Sequence, residues 1–260
     1  MGSPRPVPGR DIDFSKFDDI TYEAFRRRAL DTSLSPHEKV GFPDQYRDGK
    51  EKPILDDIGS KLTRLSSNRQ VVVDIGAGCG PLAVSVMELC ADRGHSLFQV
   101  DSPEMLALLP EAGRATRVPG RFPEDCGDLI EQLRGRAHCV LAYGVLPCVF
   151  AESNVFAFVD RTLELLAEGG QLLLGDVANV SKRKRFFASE TGVRFHQEFM
   201  GTSERPVVRF NTLETESFDD AVVLSIISRC RSAGFDAYVV PQHPGLPFAN
   251  RREDILVTRP

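Results

Sequence analysis

The sequence predicts an α/β fold whose centre is a largely parallel β-sheet covered by helices. The three valines at positions 71–73 show no polar alternation, a pattern typical of a strand buried on both faces. Glycines at positions 76, 78 and 80 then predict a tight turn, because glycine accepts backbone dihedrals that other residues avoid. Pro81 favours a helix start, where its missing amide hydrogen costs nothing. The remaining free amides of that helix would face a ligand.

A second apolar strand, Ser96–Val100, ends in Asp101, roughly two dozen residues after the glycine loop. A carboxylate at this position can accept hydrogen bonds from both hydroxyls of a ribose. The stretch from Asp101 to Glu104 also looks like a helix start, so Asp101 is alternatively an N-cap, and one residue could serve both purposes.

The pattern D-x-G-x-G-x-G, formed by Asp74, Gly76, Gly78 and Gly80, resembles the first motif of class I S-adenosylmethionine-dependent methyltransferases. A nicotinamide or flavin site needs G-x-G-x-x-G/A instead, and Pro81 stands where the third small residue is required. The resemblance implies that Asp74 helps to hold the methionine amino group of S-adenosylmethionine and that the glycine loop passes under this cofactor. The family's second motif is an acid at the position of Asp101. We add Ala77 and Ser102 to the candidate cofactor-binding residues.

The composition of the 260-residue chain suits one α/β domain with additions. Hydrophobic residues make up 42% and charged residues 27%, which predicts a sizeable core and a soluble surface. A net charge of −5 makes nucleic acid an unexpected partner. Six cysteines without a C-x-x-C pair indicate reduced thiols of a cytoplasmic protein. Neither a signal peptide nor a membrane span of ~20 apolar residues is expected.

The segment before the first strand is expected to be a helical addition. Residues 1–13 hold several prolines and little to bury, which predicts a mobile tail. Residues 14–62 are too apolar for disorder. Within this segment, helices are predicted over Tyr22–Leu30 and Pro53–Leu62, and a further helix start is predicted after Ser33. In the family, such additions commonly cover the acceptor, so this segment is a candidate lid that brings Tyr46 and Arg47, with His37 and Phe42, to a substrate. The alternative is packing on the sheet or on a partner subunit, and a homodimer stays open.

The loops after the third and fourth strands carry further candidates. Arg114–Val118 is a plausible third strand, and in the family an acid and an apolar side chain in the following loop contact adenine. Phe122 and Asp125 fit these roles, although Glu124 is an equal candidate and Asp125 alternatively caps the next helix. The fourth strand, Ala137–Leu141, leads to Tyr143, a candidate for contact with the cofactor or acceptor, or a packed aromatic. The Asp/Asn-Pro-Pro-aromatic signature of base and glutamine methylation is absent there.

Past residue 154, the apolar spacing predicts a helix over Val155–Leu166 that ends at Gly169-Gly170. The buried strand that follows ends in Asp176, which could orient the acceptor or act as a base. A long insertion spans about 181–216. Its four consecutive cations, which include Arg183 and Arg185, form either a solvated helix face or a site for a phosphate or carboxylate of the acceptor. His196 is the favoured general base, against a structural role.

The end of the chain predicts a helix over Phe218–Ala233 and strands over Phe235–Val240 and Asp254–Thr258. This order resembles the family's ending, in which an antiparallel hairpin completes a seven-stranded, Rossmann-like sheet. The loop between the two strands contains Arg251, a candidate substrate contact.

We therefore expect one class I methyltransferase domain over residues 63–260, resembling bacterial enzymes that methylate surface sugars or secondary metabolites. The expected reaction transfers a methyl group from S-adenosylmethionine to a small polar acceptor, such as a hydroxyl of a sugar or sugar nucleotide. His196, Asp176 and Tyr143 are the candidate catalytic residues, and no metal is expected. The alternatives are methylation of a protein or peptide side chain, and a binding module without turnover.

Overall fold

A computed structural model of the chain describes residues 17–111, 115–212 and 217–260. The predicted tail over residues 1–13 and the predicted strand start at position 114 lie outside these residues. The strands of the structure are β1 Val71–Ile75, β2 Ser96–Asp101, β3 Ala115–Pro119, β4 Ala137–Tyr143, β5 Leu166–Ala178, β6 Asp236–Pro241 and β7 Arg252–Thr258. They form one sheet in the order β3-β2-β1-β4-β5-β7-β6. Strands β1 to β5 are parallel, and β7 runs antiparallel to both of its neighbours. The predicted Rossmann-like sheet with an antiparallel last strand is confirmed.

Helices cover both faces of this sheet and extend over one edge. Those before β1 are α1 Tyr22–Leu30, α2 Pro36–Lys39, α3 Asp44–Arg47 and α4 Glu51–Lys61. Those between β1 and β5 are α5 Pro81–Arg93, α6 Pro103–Ala107, α7 Gly127–Leu133, α8 Leu146–Glu152 and α9 Val155–Leu165. Those after β5 are α10 Val180–Ala188, α11 Glu190–Met200 and α12 Asp220–Ser232. The longest have 13 residues, and none of the described helices could span a bilayer.

Two sequence-based boundaries in the second half were wrong. The helix before β5 ends at Leu165, and the double glycine that was expected to terminate it lies inside β5. The reason is pairing with the end of the chain, because the Gly169 amide donates to the Arg259 carbonyl at 3.0 Å and the Arg259 amide donates to the Gly170 carbonyl at 2.9 Å. The strand also continues beyond Asp176, past an irregularity in its register with β7.

A third correction concerns the start of α6. Ser102, and not Asp101, is its N-cap, because the Ser102 side chain accepts a hydrogen bond from the Met105 amide at 3.2 Å. The Asp101 carboxylate is therefore not needed to cap the helix. It remains available at the carboxyl end of β2.

The core lies on both faces of the sheet. On one face, α7, α9 and α12 pack on the central strands, and Phe158 of α9 is 1% exposed. On the other face, α4 and α5 contribute Ile54, Ile58 and Val86. The helical addition thus shares a core with the sheet through α4. Four of the six cysteines are buried in these layers, namely Cys90, Cys126, Cys139 and Cys230.

We expect Phe158→Ala to lower the free energy of unfolding by about 3–5 kcal/mol, because the side chain is 1% exposed in the core. Its ring packs edge-on against Phe122, with centroids 5.5 Å apart. Denaturant unfolding measures the change. Leu224→Ala is the control, since Leu224 is 61% exposed on α12, and we expect it to change stability by less than about 0.5 kcal/mol. Equal effects of the two substitutions would contradict this packing.

Candidate functional site

A cavity opens at the carboxyl ends of β1, β2 and β4, the position where open α/β sheets bind ligands. Its floor is built by the glycine loop and by residues that follow the strands, namely Gly76, Ala77, Gly78, Gly80, Asp101, Gly120, Arg121, Phe122, Tyr143, Gly144 and Val145. Its roof comes from the N-terminal helices, through Tyr22, Phe25, His37, Val40, Phe42, Arg47, Glu51 and Ile54. Most of its lining is apolar, with a few convergent polar groups, which is typical of a small-molecule site.

The glycine loop is tightly packed from both sides. Gly76 and Gly78 have φ of 69° and 67°, in the left-handed region that favours glycine. A Cβ atom on Gly76 would lie 2.5 Å from Val145, and one on Gly78 would lie 2.8 Å from Val40. Only bare backbone fits at these two positions, so the loop presents its peptide groups to the cavity.

Asp101 is the acidic group on the cavity floor. Its Oδ2 accepts a hydrogen bond from the Gly78 amide at 2.7 Å, and its Oδ1 accepts one from the Ser102 amide at 2.6 Å. Each oxygen keeps a second lone pair for a further donor. Burial raises the pKa of Asp101 to about 6, although the two amides act in the opposite direction. The carboxylate is thus oriented by backbone and able to accept two hydroxyl groups.

Asp74 lies behind the glycine loop and does not border this cavity. It is 4% exposed, and its partner in register on β2 is Gln99, whose side-chain amide is fully buried. Burial, together with the nearby Asp101 charge, raises the pKa of Asp74 to about 7. The structure therefore brings Asp101 to the cavity but keeps Asp74 in the layer beneath it.

Of the adenine candidates, Phe122 borders the cavity and the two acids do not. Asp125 accepts a hydrogen bond from the Arg121 amide at 2.9 Å, within its own loop. Glu124 accepts one from the Ser153 hydroxyl at 3.2 Å. The charged group that this loop places at the cavity is the Arg121 side chain, which the sequence did not single out.

Asp176 lies in a buried ionic cluster at the other end of the site. It is 2% exposed, and it is paired with Arg47 at 2.5 Å and with Arg252. The Gln242 side-chain amide also donates to it at 3.2 Å. Burial would raise the pKa of Asp176, but the two guanidinium groups outweigh burial and hold the pKa below its usual value. Both oxygens of the carboxylate therefore have partners. The backbone φ of Asp176 is 58°, which is unusual for a residue other than glycine.

Tyr143 connects this cluster to the cavity. Its ring borders the cavity and lies against Gly175 of β5, where a side chain would collide with it. Burial, and then the Asp176 charge, raises the pKa of Tyr143 well above its usual value. The phenol is therefore neutral at physiological pH, its oxygen accepts a hydrogen bond from the Gln242 side-chain amide at 3.5 Å, and its own hydrogen can be donated to a further acceptor.

The N-terminal helices bring Arg47 and His37 to the cavity but not Tyr46. The Arg47 guanidinium stacks on Phe42, 3.8 Å from the ring centroid. The His37 ring nitrogens lie 3.1 Å from Asp44 and 2.8 Å from Glu51. Tyr46 instead packs outside the cavity against Phe248, with ring centroids 4.8 Å apart.

The candidates of the insertion are also separated in space. His196 lies half-buried on α11 with its ring 6.2 Å from that of Phe187, and it does not border the cavity. Arg185 forms an ion pair with Asp220 on the surface. Arg183 and Arg251 border a second depression, next to Arg252.

Comparison with known proteins adds evidence on the fold. No protein-family model matches the chain. No curated protein matches its sequence either. Among solved structures, the plantazolicin methyltransferase BpumL, in complex with a monoazolic desmethylPZN analog and SAH, has a TM-score of 0.55 at 10% identity, over 94% of this chain and 98% of that one.

The CurJ carbon methyltransferase has a TM-score of 0.54 at 15% identity, over 95% of this chain and 68% of that one. A structure from Methanococcus maripaludis, described as an S-adenosyl-L-methionine-dependent methyltransferase, has a TM-score of 0.50 at 15% identity, over 100% of this chain and 97% of that one. The chain therefore has the Rossmann-like fold of S-adenosylmethionine-dependent methyltransferases.

We expect Asp74→Asn to change how stability depends on pH. The pKa of Asp74 rises from an ordinary 3.8 to about 7 on folding, so the folded state holds the proton more tightly and loses stability as pH rises through this window. Asparagine does not titrate, so the variant does not lose stability in this way as the pH rises. Relative to the wild type, the variant should gain on the order of 2 kcal/mol between pH 5 and pH 8, measured by denaturant unfolding.

Asp176→Asn is the matched contrast for that experiment. The pKa of Asp176 is lowered on folding, so its stabilisation is present above the unfolded value of 3.8 and is lost only in stronger acid. We expect a loss of about 3–5 kcal/mol, because Arg47 and Arg252 lose their buried partner, and the loss should be the same at pH 5 and pH 8. If the stability of Asp74→Asn relative to the wild type does not increase between pH 5 and pH 8, that result would contradict the raised pKa of Asp74.

Proposed function

We propose that the protein is an S-adenosylmethionine-dependent methyltransferase that acts on a small polar acceptor. The observation that carries this proposal is the Asp101 carboxylate, which the Gly78 and Ser102 amides hold on the cavity floor with two lone pairs free. A carboxylate that is held in this way accepts strong hydrogen bonds from a pair of hydroxyl groups. S-adenosylmethionine supplies an electrophilic methyl carbon on its sulfonium.

Residues around the cavity could hold the ribose, the adenine and part of the amino-acid portion of this cofactor. Asp101 would bind the ribose hydroxyls, and Phe122 with Met105 provides an apolar wall for adenine. The glycine loop would lie against the amino-acid portion, since its backbone is bare there. The role of Asp74 at the methionine amino group stays a prediction, because Asp74 lies behind the loop.

The covered cavity favours a small acceptor over a protein side chain. The Arg26 side chain of α1 forms an ion pair with Glu104 of α6 at 2.5 Å, and the Tyr22 amide donates to Glu152 of α8 at 2.6 Å. These contacts hold the N-terminal helices over the cavity, whereas a peptide acceptor needs an open groove. A hydroxyl of a sugar, a sugar nucleotide or a secondary metabolite is the acceptor that we propose.

The protein's contribution to the reaction would be alignment and the exclusion of water. The neutral phenol of Tyr143 can donate a hydrogen bond that orients the acceptor. Glu51 borders the cavity 2.8 Å from His37 and is the better placed proton acceptor, since His196 lies outside the cavity and Asp176 is fully paired. We therefore propose the Glu51–His37 pair as the base.

We expect Asp101→Asn to weaken the binding of S-adenosylhomocysteine by about 10- to 100-fold, because it removes the charge from two hydrogen bonds to the ribose. Calorimetric titration of the purified protein measures this affinity. Asp128→Asn, an identical change at an exposed position on α7, is the control. Unchanged affinity of the Asp101 variant, or binding of NAD alone, would overturn the proposed cofactor.

The same titration should depend on pH in a defined direction. Because the pKa of Asp101 is about 6, acidification below this value protonates the carboxyl group and removes its capacity to accept both hydroxyls. We expect affinity to fall between pH 7.5 and pH 5.5 in the wild type, and to fall less in Asp101→Asn. If the protein binds S-adenosylmethionine but transfers its methyl group to none of a panel of polar acceptors, this result would instead favour a binding module without turnover.

A further inference from the structure

A second depression lies beside the cavity, on the other side of the first turn of α8. Arg183, Arg251 and Arg252 border it, together with Phe150 and Phe218. Arg252 connects the two sites, since it is paired with Asp176 and its guanidinium lies 5.3 Å from the ring centroid of Phe42, on the cavity roof. Arg252 thus borders the depression and also lies near a residue of the cavity roof.

Arg251 is a cation at the border of the second depression. Among the described residues it has no ion pair, and the Asn250 side-chain oxygen accepts its hydrogen bond at 3.3 Å. The guanidinium lies among the rings of Phe248, Phe195 and Phe187, at 4.4, 5.5 and 5.8 Å from their centroids. Burial lowers the pKa of Arg251 to about 10, and the nearby charges of Arg252 and Arg183 act in the same direction.

Arg183 also has no ion pair within the described part of the chain, and the acids near it are engaged elsewhere. Asp220 is bound to Arg185, and it accepts a hydrogen bond from Asn179 at 2.7 Å. Asn179 also donates to Glu253 at 2.6 Å. Arg183 and Arg251 thus both border the depression, and neither has an ion pair among the described residues. An anion bound between these two side chains would receive charge-assisted hydrogen bonds from both of them.

We propose that Arg183 and Arg251 bind an oxyanion of the acceptor, a phosphate or a carboxylate group. The planar donor fork of arginine matches both groups. The acidic end of the acceptor would lie in the depression while its reacting group lies in the cavity near Tyr143. This inference rests on the proposed methyltransferase function and names its substrate class, an anionic small molecule.

The test is a calorimetric titration of the protein saturated with S-adenosylhomocysteine, at constant ionic strength, with four probes. Pyrophosphate and inorganic phosphate represent phosphate groups, and malonate and citrate represent carboxylates. We expect the wild type to bind either the phosphate probes or the carboxylate probes. Each of the variants Arg183→Gln and Arg251→Gln should weaken the affinity for the bound probe by roughly tenfold. Arg185→Gln, the same change two residues along α10, is the matched control and should stay within about twofold.

The outcomes separate this proposal from the proposed function. Binding of S-adenosylhomocysteine with no binding of any probe would overturn the oxyanion site and leave the cofactor assignment intact. Equal losses for Arg183→Gln and Arg185→Gln would also overturn it, because they would indicate attraction by general surface charge. Failure of S-adenosylhomocysteine to bind, with oxyanion binding retained, would overturn only the methyltransferase function. Arg183 is exposed on α10, so its variant keeps the test valid if Arg251→Gln fails to fold.

Discussion

The buried carboxylate of Asp176 joins segments that are far apart in the sequence, and the geometry of the site depends on it. A charge this deeply buried is expensive unless it is paired and hydrogen-bonded. Arg47 comes from the N-terminal addition, Arg252 begins β7, and Gln242 follows β6. The Asp176 amide in turn donates to the buried Asp254 carboxylate at 2.8 Å, which is paired with Lys61 at 2.7 Å. One ionic network thus fixes the addition, β5 and the terminal hairpin relative to one another.

This network also determines the electrostatics of the cavity. The Asp176 charge helps to keep Tyr143 neutral, while the same charge holds Arg252 between the cavity and the second depression. Aromatic packing of Tyr46 against Phe248 and Phe199 supports the arrangement from outside. The N-terminal addition is therefore bound to the carboxyl ends of the strands by both charge and apolar contact, which is how it comes to form the roof of the cavity.

The fold class could be predicted from patterns among residues that lie close together in the sequence. The valine run, the glycine loop and Asp101 are local patterns, and the structure places Asp101 at the loop as expected. Features set by distant partners could not be read in this way. Arg47 and Asp176 are 129 residues apart, and Gln242 and Asp176 are 66 apart. Gly169 and Gly170 were misassigned for the same reason, since their strand pairing is with the last residues of the chain.

The run of four cations over positions 182–185 shows why a local pattern can be correct and still incomplete. Consecutive residues of a helix point about 100° apart, so a block of like charge is divided among different surroundings. The Lys182 ammonium donates to the Arg252 carbonyl at 2.5 Å, and Arg185 is paired with Asp220. Arg183 alone of these three borders the second depression. Lys182 and Arg185 thus have partners within the fold, whereas Arg183 has no ion pair among the described residues and borders the proposed oxyanion site.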